Sequence, residues 1–298
     1  MRVFPDTMIL VQMLTSYPIT SVNYYKKGRQ MEVNTASDAH TKQDTYAHRS
    51  SDQNALFVTG TDTEVGKTFV TAALAAWLSL RCPEADIRVW KPVQSGVVRG
   101  EQGADSYVLR MACGNRETEK EIATFSFPEP LAPWIAAQKA GVEIPFERLV
   151  EVGKERLQSC HFLFAEGAGG LLVPLTQQHT VHDLIAALGF PVLVVARPSL
   201  GTVNHTLLTI SKLKASGIRV QGVILNGYKP EQVRHAKENA AMIEHFSGVP
   251  VLGCLPWNET PYPEHEVGWK EWRCKMAAWV ERYIPLERLK RLLPSMLQ

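Results

Sequence analysis

The stretch Gly60-Thr61-Asp62-Thr63-Glu64-Val65-Gly66-Lys67-Thr68 sets glycines around a polar turn and ends in a lysine and a hydroxyl. That combination suits a polyphosphate. Backbone N–H groups of a glycine loop opening onto a helix hold an anion. Lys67 adds a point charge for the outer phosphates, and Thr68 offers an oxygen to Mg²⁺. Five residues separate Gly60 from Gly66, one more than the usual phosphate loop has. Thr63 and Glu64, inside the loop, are candidates to touch substrate or phosphate. Further polar residues follow apolar runs elsewhere. Lys91, in Trp90-Lys91-Pro92-Val93-Gln94-Ser95-Gly96, closes one run, and a fixed cation there can offset charge on a transferring phosphoryl group or a carboxylate. Glu166 follows Phe162 to Ala165 and precedes the glycine-rich turn Gly167-Ala168-Gly169-Gly170, a place from which a carboxylate can hold Mg²⁺ directly or through water. Asp105 opens a helical stretch. By spacing alone it is an N-terminal acid favoured by the helix dipole. His205, Cys254 and Trp257 read as packing residues.

These residues need a scaffold, and the pattern from Ala55 onward supplies one. Strands are expected over 55–58, 87–91, 162–165, 191–196, 219–225 and 249–255. Helices are expected over 69–80, 104–112, 131–139, 146–157, 180–188, 203–215 and 231–246, with two more after Trp269 separated by Pro285. Asp183 stands three residues after Thr180, the offset of a capping box. Strands alternating with helices predict an α/β fold: a mainly parallel sheet covered on both faces, in the manner of a P-loop NTPase three-layer sandwich. Ligands of such sheets bind beyond the strand C-termini. That is where the phosphate loop, Lys91 to Ser95, Glu166 to Gly170, Asn226 and Pro256 all fall.

The totals narrow the class. The chain has 298 residues, 45% of them hydrophobic, and a net charge of +2. That charge argues against a surface that coats nucleic acid. No apolar run approaches the roughly 20 residues that span a bilayer. Cys82, Cys113, Cys160, Cys254 and Cys274 are scattered without a Cys-x-x-Cys and read as reduced thiols of a cytoplasmic protein. Residues 1–54 show no sustained period and are expected to be a disordered extension or to follow a wrongly chosen start, with Met31 as a candidate true start. Residues 55–298 are expected to form a single ATP-binding catalytic domain.

Together, Gly60 to Thr68, Lys91-Pro-Val-Gln-Ser-Gly96, Glu166-Gly-Ala-Gly-Gly170 and Gly253-Cys-Leu-Pro-Trp257 resemble dethiobiotin synthetase of the biotin pathway, from about residue 55 to 260. The resemblance implies ATP-dependent ring closure of 7,8-diaminononanoate with CO₂ or bicarbonate, through a carbamate and a carbamic-phosphoric anhydride, in a cytoplasmic homodimer without nucleic-acid or membrane partners. It also implies residue roles. Lys91 and Lys67 are catalytic. ATP is bound by Glu64, Val65, Gly66, Lys67, Thr68 and Phe69, by Asp105, by Glu166, Gly167, Ala168 and Gly169, by Asn226 and Gly227, and by Pro256, Trp257 and Asn258. Substrate is met by Thr63, Ser95 and Asn204, the last near the dimer interface. Mg²⁺ is held by Thr68, Asp105 and Glu166. Tyr228 stands where the family often has a more polar residue, and the tryptophans after Thr260 have no counterpart in it.

The rival is a partitioning-type ATPase, a dimeric switch of the same fold. Such proteins carry a lysine early in the loop, where this chain has Thr61, Asp62 and Thr63, and they lack a strand-end lysine like Lys91. A cobyrinate-type amide ligase would need a further glutaminase domain.

Overall fold

In a computed structural model, residues 22–26, 29–33, 54–114 and 117–297 are described, and the chain divides into two units, Met1–Ala47 and His48–Gln298. In the first, β1 (Val22–Lys26) and β2 (Arg29–Val33) pair antiparallel with Val22 opposite Val33. Apart from this hairpin, the stretch expected to be disordered or wrongly started lies outside the described residues.

The second unit is built on seven parallel strands in the order β5-β4-β6-β3-β7-β8-β9. They are β3 (Ala55–Gly60), β4 (Ile87–Ser95), β5 (Ala123–Phe127), β6 (Phe162–Gly170), β7 (Val192–Ala196), β8 (Val220–Tyr228) and β9 (Val251–Pro256). Every residue of β3 and β7 is buried, because helices cover both faces of the sheet. Leu56 and Val58 point into one core; Ala55 and Phe57 point into the other. The first core is closed by α1 (Lys67–Arg81) and α2 (Asp105–Ala112), and by α9 (Gly268–Tyr283) and α10 (Leu286–Leu292). The second is closed by α4 (Pro133–Lys139), α5 (Phe146–Gln158), α6 (Val181–Leu188), α7 (Thr202–Ala215) and α8 (Val233–Ser247). A single turn, α3 (Glu119–Ile122), leads into β5. The result is the three-layer sandwich.

The structure differs from the sequence pattern at informative places. β5 has no counterpart among the expected strands: five residues at a sheet edge carry little periodic signal. β4 runs through Pro92 instead of ending there. Its pairing with β6 stops at Trp90 opposite Ala165 while pairing with β5 continues, so the proline lies where one flank is already free. β6 runs on past Glu166 to Gly170, with its pairing to β3 passing from Val58↔Glu166 to Gly60↔Gly170 across a register shift, and Gly169 within that bulge has φ 64°. Lys91 and Glu166 therefore sit inside strands. The expected Thr180–Asp183 cap forms, with Thr180 N–H donating to the carboxylate at 2.7 Å. The five cysteines form no disulfide. Among the described residues no helix is long and apolar enough to cross a membrane.

Candidate active site

β3 delivers its chain into the loop at the C-terminal edge of the sheet, in the middle of the strand order. Two backbone features shape the turn. Glu64 has φ 54°, the one left-handed non-glycine among the described residues, and Gly66 caps α1 at φ 85°. A Cβ on Gly66 would lie 2.2 Å from Asn226 Nδ2, so only glycine fits. α1 then starts at Lys67. Its side chain is only 6% exposed and donates to Asp62 O at 2.9 Å. Burial, followed by the charge of Lys91, pulls the Lys67 pKa down to about 8.

The charged centre is formed by three elements. Lys91 of β4 is 3% exposed, and its Nζ lies 2.6 Å from Asp105 Oδ2 and 2.6 Å from Glu166 Oε1. It also donates to Gly167 O at 3.3 Å. Burial alone would favour the neutral amine, but the two carboxylates outweigh it and raise the Lys91 pKa, so the ammonium is held. Burial likewise opposes the charge of Asp105, yet Lys91 and a hydrogen bond from Thr68 keep its carboxyl below the usual range. Gln94 holds Ser106, the residue after Asp105. Its amide accepts from Ser106 N–H at 3.0 Å and donates to Ser106 Oγ and Ser126 Oγ, each at 3.0 Å, tying the start of α2 to β4 and β5.

Whether these groups suit a cation can be judged from their donors. Thr68 Oγ lies 2.7 Å from Asp105 Oδ1 and 2.8 Å from Glu166 Oε1, and one hydroxyl proton cannot serve both. Glu166 is 0% exposed, and its Oε2 has no hydrogen-bond partner among the described residues. Two carboxylates and a hydroxyl converging, with a buried oxygen left over, fit Mg²⁺, which takes few protein ligands and completes its shell from phosphates and water.

Two adjoining cavities receive most of the predicted residues. One, of about 400 Å³, is lined by Thr63, Glu64, Gly66, Lys67, Thr68, Phe69, Lys91, Ser95, Asp105, Ala168 and Gly169. The other, of about 590 Å³, is lined by Glu64, Gly66, Phe69, Asn226, Gly227, Trp257 and Asn258. Glu166 and Val65 are buried behind these walls. Gly167 continues β6 beside Glu166, and Pro256 ends β9. Asn204 lies exposed on α7, outside both cavities. Asn226 donates from Nδ2 to Val65 O at 3.1 Å, leaving Oδ1 for a ligand. Trp257 is 64% exposed although it lines a cavity, and its ring passes close to Gly227. It is not the packing residue expected. Gln94 and Tyr262 also line the smaller cavity, and Glu259 to Tyr262 the larger. Gln94 stands within Lys91 to Ser95 and is legible as a polar residue at the active edge. Tyr262 had no signal, because its place depends on α9.

Residues 54–264 match the AAA domain family. Over 214 residues the chain is 46% identical to an ATP-dependent dethiobiotin synthetase BioD of Bacillus thuringiensis (strain Al Hakam), covering 72% of this chain and 88% of that protein. Identity and coverage are the same for the protein of that name from Bacillus cereus (strain 03BB102). Among solved structures, a ParA family ATPase from Chlorobium tepidum TLS aligns with a TM-score of 0.46 and 14% identity, over 82% of this chain and 97% of that one.

Proposed function

The chain belongs to the ATP-dependent dethiobiotin synthetase family, and from that premise we propose that its two cavities bring ATP and a carbamate of 7,8-diaminononanoate together for ring closure. It is an ATP-dependent ligase that makes dethiobiotin. One amine of the diamine adds to CO₂ and loses a proton, giving the carbamate. A carbamate oxygen attacks the γ-phosphorus and ADP leaves, giving the carbamic-phosphoric anhydride. The second amine attacks the anhydride carbonyl, phosphate departs, and the cyclic urea is closed.

The difficulty lies in the second step, where two anions must meet. The observation that carries the reading is the lysine pair: the Lys91 ammonium, held by Asp105 and Glu166, lines the same cavity as Lys67. Their charges offset the repulsion and the charge that builds as phosphate transfers. Mg²⁺, held by Thr68, Asp105 and Glu166, would supply further neutralisation of the phosphate chain. The loop amides from Glu64 to Phe69 bind and orient the polyphosphate, and Ala168 and Gly169 wall it in. Asn226 Oδ1 accepts from an exocyclic amine of the base, with Gly227, Pro256 and Asn258 around it and the exposed Trp257 ring as a stacking surface. Thr63 and Ser95 meet the diamine, as does Asn204 from across a homodimer contact.

The test is ATP hydrolysis stimulated by diaminononanoate with bicarbonate, with dethiobiotin detected by mass. Hydrolysis stimulated instead by nucleic acid or membrane, with no dethiobiotin, would overturn the reading in favour of a partitioning switch.

A further inference from the structure

The two cavities share a wall made by four residues: Glu64, Gly66, Phe69 and Tyr262. Three of them belong to the phosphate loop and the first turn of α1. Tyr262 alone comes from elsewhere, the segment between β9 and α9. Its ring is seated on α9, 5.7 Å from Trp269 at an interplanar angle of 15°, and 5.7 Å from Trp272 at 46°. Trp272 in turn meets Phe69 edge-on, at 6.5 Å and 90°. The ring is therefore held by α9, and through Trp272 and Phe69 it is tied to α1, the helix that begins at Lys67. It lines the smaller cavity together with Lys67, Lys91 and Asp105, where burial, then the charges of Glu166 and Asp105, push the phenol pKa up and keep it neutral.

A nucleoside triphosphate that fills both cavities keeps its base beside Asn226 and Trp257 and its outer phosphates beside Lys67. The ribose and the first phosphate must then cross the shared wall. We propose that Tyr262 is a nucleotide-positioning residue: its ring borders the ribose, and its phenolic O–H donates to an oxygen of the α-phosphate. This rests on the ATP reading of the site and deepens it. A neutral phenol suits the task, since it offers a strong donor to an anion without adding a third positive charge to the lysine pair. The seat on Trp269 and Trp272 pre-orders the ring, so little rotamer freedom is lost when the nucleotide arrives.

Calorimetric titration of the full chain with ATP, inorganic triphosphate and adenosine, each with Mg²⁺, tests the assignment. Tyr262→Phe keeps the ring and removes the donor. It is expected to weaken ATP and triphosphate by roughly tenfold to a hundredfold, as for a lost hydrogen bond to a charged group, and to leave adenosine unchanged. In turnover the loss is expected in the KM for ATP, with kcat at saturation nearly kept. Tyr262→Leu is expected to weaken adenosine as well. Should Tyr262→Phe bind ATP like the parent, or lose adenosine as severely as ATP, the assignment falls. The Phe variant decides even if the Leu variant fails to fold. If the parent binds ATP but makes no dethiobiotin, the proposed reaction fails while the binding result still stands on its own.

Discussion

Lys91 is held between two carboxylates, so its charge is secure and its removal has a definite cost. In Lys91→Gln a neutral amide, one bond shorter than the amine, deletes the charge. We expect turnover to fall by roughly 10²–10³ while ATP still binds. Single-turnover dethiobiotin formation together with ATP titration checks this, and a near-parental rate would remove Lys91 from the mechanism. Lys67 is different, because its pKa is depressed to about 8, below the 10.5 of a free lysine. On unfolding it takes up a proton between those values, so its contribution to stability rises with pH across that window. An arriving polyphosphate has the opposite effect and restores the proton. ATP titrated at pH 8 in buffers of different ionisation enthalpy should therefore show uptake of about half a proton. A heat that does not depend on the buffer would contradict this.

At the scale of elements, close approach matters more than propensity. Gly153 sits within α5, where alanine would ordinarily favour the helix by about 1 kcal/mol. A Cβ there would meet Leu188 Cδ2 at 2.6 Å and Trp90 Cζ3 at 2.8 Å, so α5 lies on α6 and β4 only because the side chain is absent. We expect Gly153→Ala to destabilise the protein by about 1–3 kcal/mol in denaturant unfolding, against the propensity gain. A stabilised variant would mean the contact relaxes freely. Glycines of this kind also explain what the sequence concealed. The fold class and nearly all helices were legible from periodicity and turn residues. Gly167 to Gly170 reads as a turn because glycine usually marks one; the segment instead belongs to β6, bulged at Gly169 and paired again with β3 at Gly170. The charged cluster is legible only as separate residues, Lys91 and Glu166 at strand ends and Asp105 at a helix start. That Lys91 would bridge Asp105 and Glu166 depends on β4 and β6 lying side by side, which local pattern does not carry.

For the whole molecule, the two ends differ. We propose that residues 55–298 are one catalytic domain, so a chain begun at Ser51 should keep parental activity and melting temperature. Loss of either would give residues 1–50 a role. The C-terminal end is integral: Trp269, Trp272, Met276 and Val280 of α9 are buried in the core shared with α1. Deleting everything after Val267 should abolish cooperative unfolding, since each large buried side chain lost costs about 3–5 kcal/mol. A soluble, active remnant would refute this. Gly66 and Asn226 meet so closely that the side chain we propose to read the base leaves no room for a side chain on the loop proposed to grip the phosphates. A lineage drifting toward another nucleotide could not enlarge position 226 in isolation, because the bulk would press on the chain that supports turnover. On that proposal, preference for the base and capacity for the reaction are inherited together, and changing one calls for simultaneous change at both ends of the contact.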